Sequence, residues 1–151
     1  MNERFIGLFP NTESFTIAIF VKIKFTVKPV SGTITSRFGY RVSPGGIGST
    51  NHKGLDIAAP KGTAIKAAAS GTVTFSGRKG SFGYMIVINH GNGIETYYAH
   101  CSKLLVKRGD KVAQGDIIAK VGNTGRSYGA HVHFEIRKNG KTQNPLNYIH
   151  K

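Results

Sequence analysis

From His131 to Arg137 the chain alternates without interruption, with His131, His133, Glu135 and Arg137 in one set and Val132, Phe134 and Ile136 in the other. In an extended strand successive side chains point to opposite faces, so this run commits the stretch to a β-strand with one apolar face in a core. A helix would spread the same residues around its circumference. Two imidazoles one residue apart on the polar face are either half-exposed surface groups or part of a site. The remainder of the chain decides between them.

The surroundings are of the same kind. From residue 30 onward short runs rich in β-branched and aromatic residues are separated by glycine turns: "GTITSRFG", "GLDIAAP", "GTVTFSG", "YMIVINHGNGIETYYAH", "DIIAKVG" and "HVHFEIRKNGK". Twenty glycines, nine phenylalanines and six tyrosines, with hardly any helical period, predict a mostly β fold. Turn signals at Gly91–Gly93 and at Asn139-Gly140 mark two hairpins. A chain of 151 residues is most simply one domain, large enough to bury a core without crosslinks.

The first 29 residues read differently. "MNERFIGLFPNTE" carries Glu3 and Pro10 and lacks a sustained apolar stretch leading to a small-residue cleavage site, so no signal peptide is read there. "SFTIAIFVKIKFTV" places Phe15, Ile17, Ile19, Val21, Ile23 and Phe25 on one face, a strand too short and too charged to span a bilayer. The expected division is an N-terminal arm over 1–29 and a domain over 30–151, with the boundary near Pro29. The single Cys101 excludes an internal disulfide and leaves the compartment open.

Charge is lopsided: 21 Lys and Arg against 7 Asp and Glu, a formal net of +14. Nucleic acid, an anionic membrane and an acidic cell wall would all suit such a chain, as would a merely soluble basic surface. No nucleic-acid-binding motif accompanies the charge, and the basic residues are scattered rather than blocked, so nucleic acid is the weaker reading.

"NHKGLDIAAP" supplies His52 and Asp56, with Gly54 between them and Pro60 soon after. Glycine and proline argue against a helical pair and for a turn entering a strand. Such a turn can aim an imidazole and a carboxylate at one point. Together with one histidine of the His131/His133 pair they make two nitrogens and one oxygen, and three protein ligands with a fourth position left to water is the catalytic zinc arrangement. His100, at the end of "IETYYAH", is either a strand-end histidine with a satisfied hydrogen bond or a group acting on a bound water or oxyanion. His90, in "NHGNG", and the C-terminal His150 are expected to face solvent. Cys101 should point away from His100 as a small buried residue.

These segments, with "VKRGDKVAQGDIIAKVGNTGRSYGAHVHFEI" and the closing "NPLNYI", resemble the LytM/lysostaphin-type zinc metallopeptidases, which cut peptide bonds in bacterial peptidoglycan. The resemblance runs from about residue 30 to residue 149. It implies a compact antiparallel β-sheet domain with few or no helices and an active-site groove across the sheet. It further implies one Zn2+ per chain, held by His52, Asp56 and His133, with His100 and His131 catalytic. Tyr128 and Ala130 stand where the family pattern has threonine and proline, which bears on specificity rather than on ligation. The loop "GNTGRSYG" would offer glycines of positive φ and close approach to an extended substrate, with Asn123, Tyr128 and Gly129 as candidate groove residues.

The implied partners are peptidoglycan peptides, with anionic cell-wall polymers beside them. The implied location, inferred from that substrate, is extracellular or wall-associated. Two further readings come from other classes. A catalytically silent wall-binding or regulatory member would typically have lost ligands, and none is lost here. A lipoyl- or biotinyl-type carrier, which "VKRGDKVAQGDIIAKVG" is similar to, would need a lysine at a hairpin tip, and none is evident.

Overall fold

The computed structural model of the chain describes residues 27–42 and 49–149. The expected strand between Phe15 and Phe25 and the expected exposure of His150 lie outside these residues. Twelve strands are described: β1 Thr33–Ser36, β2 Gly39–Val42, β3 Ser49–His52, β4 Leu55–Ala58, β5 Ala64–Lys66, β6 Gly71–Arg78, β7 Tyr84–Gly91, β8 Ile94–Leu104, β9 Lys111–Val112, β10 Ile117–Val121, β11 His131–Lys138 and β12 Lys141–Gln143. The helical residues among those described are two single 3-10 turns, Gly80–Phe82 and Pro145–Asn147.

One large sheet runs β1-β4-β11-β8-β7-β6-β9, with β10 joining β8 to β5 and β12 extending β11, while β2 and β3 form a separate ribbon. Every pairing is antiparallel. The mostly β fold is therefore as the alternating runs predict, and the antiparallel sheet is as the family resemblance implies.

Alternation also decides where the core sits. Val132, Phe134 and Ile136 of β11 are fully buried, and Leu55 and Ile57 of β4 and Tyr98 of β8 join them on the same side. Strand β7 is buried on both sides: Ile86 and Ile88 enter this main core, whereas Met85 and Val87 pack with Ala99 in a second cluster on the opposite face. That is why "MIVI" is continuously apolar. Both predicted hairpins form, and their turns carry positive φ at both central positions, 54° and 80° at Asn92-Gly93 and 52° and 83° at Asn139-Gly140. Asparagine and glycine tolerate that conformation best.

His90 departs from expectation. It belongs to β7 rather than to the turn and is half-buried, its Nδ1 donating to the Ser70 carbonyl at 2.7 Å. Its other nitrogen meets Thr96 Oγ1 at 2.7 Å, Thr96 meets the Tyr98 hydroxyl at 2.8 Å, and the Ala68 amide donates to Tyr98 at 3.0 Å. With Nδ1 committed as a donor, a neutral His90 accepts from Thr96, and Thr96 accepts from Tyr98. The hydrogen bonds therefore run one way, from Ala68 to Ser70. Burial lowers the His90 pKa, against which the Ser70 carbonyl works, and burial pushes the Tyr98 phenol up to about 12.

Protonating His90 would turn its Nε2 into a donor and force the Thr96 and Tyr98 hydroxyls to turn round, leaving Tyr98 accepting from both Thr96 and Ala68 with no acceptor among the described residues for its own proton. Because the folded protein binds this proton more weakly than the unfolded chain does, the linked stability is complete above the unfolded pKa of about 6.5 and falls as pH drops below it. Urea midpoints measured from pH 7.5 to 5.5 are expected to fall, and His90→Gln, which cannot titrate, is expected to flatten that slope. Tyr98→Phe should cost about 1–3 kcal/mol at neutral pH by stranding buried polar partners. An unchanged slope in His90→Gln would show that the acid sensitivity resides elsewhere.

Candidate metal centre

Three adjacent strands build the site. In β4 the alternation sends Leu55 and Ile57 into the core and turns Asp56 to the other face. Across the β4–β11 ladder Asp56 lies opposite His133, and across the β11–β8 ladder His133 lies opposite Ala99. His52 closes β3, and the chain reverses through Gly54 into β4. A Cβ on Gly54 would stand 2.5 Å from the Phe134 carbonyl oxygen and 2.9 Å from the His133 ring. Only glycine lets this turn pass over β11.

The three donors converge. The His52 Nε2 lies 3.2 Å from Asp56 Oδ2 and the His133 Nδ1 lies 2.8 Å from Asp56 Oδ1. One ligand atom from each residue falls within 4.8 Å of the others, the spacing that a single ion could bridge. His131 stands beside them, its Nε2 3.9 Å from Asp56 Oδ1. The rings of His100 and His131 are 4.8 Å apart between centroids.

Each of these four imidazoles has one nitrogen held by an acceptor outside the cluster. His52 Nδ1 donates to the Arg37 carbonyl at 2.9 Å, His131 Nδ1 to the Gly129 carbonyl at 2.8 Å and His100 Nδ1 to the Thr124 carbonyl at 2.7 Å. His133 donates Nε2 to Glu135 Oε2 at 2.8 Å. Carbonyl and carboxylate oxygens cannot donate, so a neutral ring keeps its proton on the outer nitrogen and turns its lone pair to the groove; His133, whose Nδ1 also meets a carboxylate, must first give up the proton it shares with Asp56. Fixing the tautomer through the outer nitrogen is what ligating histidines require.

Electrostatics follow this geometry. Burial works against the Asp56 charge, but hydrogen bonds from His133 and His52 outweigh it and hold the carboxyl well below the usual carboxylate range. Burial likewise disfavours protonated His133, yet Asp56 and Glu135 raise its pKa to about 9. The proton that the imidazole holds between two carboxylates stands where a cation would stand. Two imidazole nitrogens and one carboxylate are a donor set that suits zinc. His100 is pushed the other way, its pKa lowered by burial.

His100 is also conformationally unusual, with φ at 65° in the left-handed region that non-glycine residues rarely occupy. Its strand carries an extra residue at this point, because Tyr84 and Ile86 of β7 face Cys101 and Tyr98 of β8. The bulge turns the imidazole to the groove while Tyr98 and Cys101 remain in the core. Cys101 is fully buried, and burial pushes its thiol up to about 12, as expected of a packing residue.

A groove of about 600 Å³ opens over the cluster, floored by Asp56, His131 and His133 and walled by Phe82, Arg126 and Tyr128. Tyr128 and Gly129 are among its lining residues and Asn123 is not. Gly122 bridges to His131 and Thr124 turns both its hydroxyl and its carbonyl inward, so Asn123 between them faces out and is exposed. Of Gly122, Gly125 and Gly129, only Gly125 has positive φ, at 75°.

The sequence reading left Glu135 without a role. It is 2% exposed and pairs with Arg137 through Oε1 at 2.7 Å, while Arg137 stacks 4.2 Å from the Tyr97 ring centre. The signal was present in the alternation, which places Glu135 beside His133 on one face.

A β-sheet groove with a possible His/Asp/His metal site is what a metallopeptidase-like domain would carry, and the comparisons give the family. Peptidase family M23 matches residues 50–145, and the chain belongs to that family, the one its LytM/lysostaphin-type motifs resemble. It is 46% identical over 123 residues to the DD-carboxypeptidase/endopeptidase Mpg of Neisseria meningitidis, covering 81% of this chain and 28% of that protein. It is 40% identical over 122 residues to the murein hydrolase activator NlpD of Escherichia coli, covering 80% of this chain and 30% of that protein. The chain thus spans less than a third of either relative. A zinc-containing peptidase from Vibrio cholerae superposes with a TM-score of 0.76 at 33% identity, over 82% of this chain and 39% of that one.

If Glu135 sets the His133 tautomer, Glu135→Met should weaken zinc uptake about 10–100-fold, the usual cost of losing an outer-shell partner. Glu135→Gln keeps an acceptor without the charge and should fall between. Chelator competition on the folded proteins reads this directly, and wild-type affinity in Glu135→Met would refute the role.

Proposed function

We propose that residues 30–151 form a zinc-dependent endopeptidase domain that hydrolyses peptide bonds of bacterial peptidoglycan. What supports this reading most is the set of four outward-anchored histidines around Asp56, which turns one ring nitrogen of each toward one groove, that of His133 becoming a lone pair once an ion replaces its proton. His52, Asp56 and His133 would hold the ion. When bound, zinc supplies Lewis acidity and makes a water acidic enough to attack near neutral pH.

The remaining work falls to the protein. His100, kept neutral by burial, and His131, whose free Nε2 lies beside the carboxylate, can take a proton from the attacking water. As donors they can return it to the departing amine or stabilise negative charge on the carbonyl oxygen. The amide C–N bond breaks, water supplies the new oxygen, and the products are a carboxylate and an amine. An open groove beside a sheet suits an extended peptide held by backbone hydrogen bonds.

The similarity to NlpD favours a second reading, a regulatory domain that binds the wall and activates other hydrolases. Against it, all three candidate ligands and both flanking histidines are present and converge. The Mpg and NlpD similarities support action at the cell envelope, and no helix among the described residues is long and apolar enough to cross a membrane. The excess of positive charge supports contact with anionic wall polymers.

Digestion of purified sacculi by the zinc-loaded protein, with products identified by mass spectrometry, should yield peptide-bond cleavage that a chelator abolishes. His131→Ala and His100→Asn should retain about one zinc per chain and lose turnover by on the order of a hundredfold or more. Asparagine is chosen at position 100 because it tolerates the left-handed backbone. Intact sacculi under these conditions would favour the regulatory reading. Sacculus binding should also weaken as salt rises, since exposed charges are screened over about 10 Å at 0.1 M. Salt-independent retention would assign binding to the groove alone.

A further inference from the structure

The wall formed by residues 124–130 is pinned at Thr124, Gly125 and Arg126. Thr124 Oγ1 donates to the Cys101 carbonyl at 2.6 Å and accepts from the Tyr84 amide at 3.1 Å. The Arg126 amide donates to the Ser81 carbonyl at 2.8 Å. Gly83 and Gly125 pack backbone against backbone, and a Cβ on either would collide with the other segment. Whatever this wall presents is therefore presented in a set place.

It presents an arginine. Among the described residues lining the groove, Asp56 is the only carboxylate and Arg126 the only lysine or arginine. Asp56 is engaged by His52 and His133. Arg126 is exposed and has no side-chain partner among the described residues. By contrast, Arg137 on the neighbouring strand is paired with Glu135 and stacked on Tyr97. The groove thus carries a guanidinium with no counter-ion among the described residues, on a backbone held at Arg126 and lining the same groove as the candidate metal ligands. A guanidinium in that setting matches a carboxylate through two parallel N–H···O bonds.

We propose that Arg126 binds a carboxylate of the peptide substrate close to the bond that is cut, so that the substrate class is acidic peptides rather than uncharged glycine-rich ones. This deepens the endopeptidase reading and rests on it. The carboxylate could come from the C-terminal α-carboxyl of a stem peptide or from the free side-chain carboxyl of a diaminopimelate-type crosslink. Either presents the same anion to the same wall.

The test uses peptides of one sequence in three forms, unmodified, amidated at the C-terminus and amidated at the side-chain carboxyl. Hydrolysis is followed with the zinc-loaded protein. Amidation at the recognised position should raise KM about tenfold or more, the scale of a charge-assisted pair, with little change in kcat. Arg126→Gln should raise KM for the unmodified peptide by a similar factor and remove the penalty for amidation, while Arg126→Lys should recover part of it. The amide that matters identifies the carboxylate. If the amidation penalty survives Arg126→Gln, the carboxylate binds elsewhere in the site and the proposal is overturned. It is overturned equally if neither amide matters. Binding of the same peptides to zinc-loaded His131→Ala protein, by calorimetry, gives a readout that needs no turnover. An absence of hydrolysis would then count against the peptidase reading while carboxylate-dependent binding through Arg126 remained measurable.

Discussion

Everything in the groove depends on one register, the pairing of His133 with Asp56 across β11 and β4. Because side chains alternate with a period of two, a one-residue slip of β11 would carry both histidines and Glu135 into the core and bring Phe134 out. The slip is opposed by Val132, Phe134 and Ile136, all fully buried, each worth roughly 1.5–3 kcal/mol of transfer free energy. The apolar face of β11 thus keeps the polar face aligned. Core and site are two sides of the same seven residues.

Alignment alone would still leave each imidazole free to rotate and to choose its tautomer. The outer acceptors remove that freedom, and they come from four separate places: the Arg37 carbonyl before β2, the Thr124 and Gly129 carbonyls of the groove wall, and the buried Glu135 carboxylate. The local cost is visible at His100, whose left-handed backbone is worth on the order of 1–3 kcal/mol of strain. Non-glycine residues persist in that conformation only where their surroundings over-determine it. Here the Thr124 carbonyl on one side and the buried Cys101 on the other do so.

Much of this was legible before the structure. Glycine-bounded alternating runs located β1, β4, β6, β7, β8, β10, β11 and β12, and asparagine-glycine located both hairpins. The short strands β5 and β9, three and two residues long, carry too little alternation to read. His90 was misjudged because its partner Ser70 is twenty residues away, and only the folded sheet brings that carbonyl to it. Asn123 falls outside the groove lining for a local reason instead. A glycine-rich loop suggests flexibility, yet this one is tied down at Gly122, Thr124, Gly125 and Arg126, with Asn123 exposed between two of these anchors and Arg126 and Tyr128 lining the groove.

That rigidity bears on how the two long walls of the groove can differ in role. The strand side is crowded with groups that satisfy one another, Asp56 with His52 and His133, and Glu135 with His133 and Arg137. Such a network is stable without a ligand because every buried charge is already paired. The loop side holds the reverse, an exposed arginine and a fully exposed tyrosine on a segment whose backbone is pinned at Thr124, Gly125 and Arg126. Groups left unsatisfied on a rigid support gain most from an incoming molecule, since little ordering entropy remains to be lost on binding. The division follows from the backbone: the strands hold what must not move, and the pinned loop keeps its polar groups open to whatever enters.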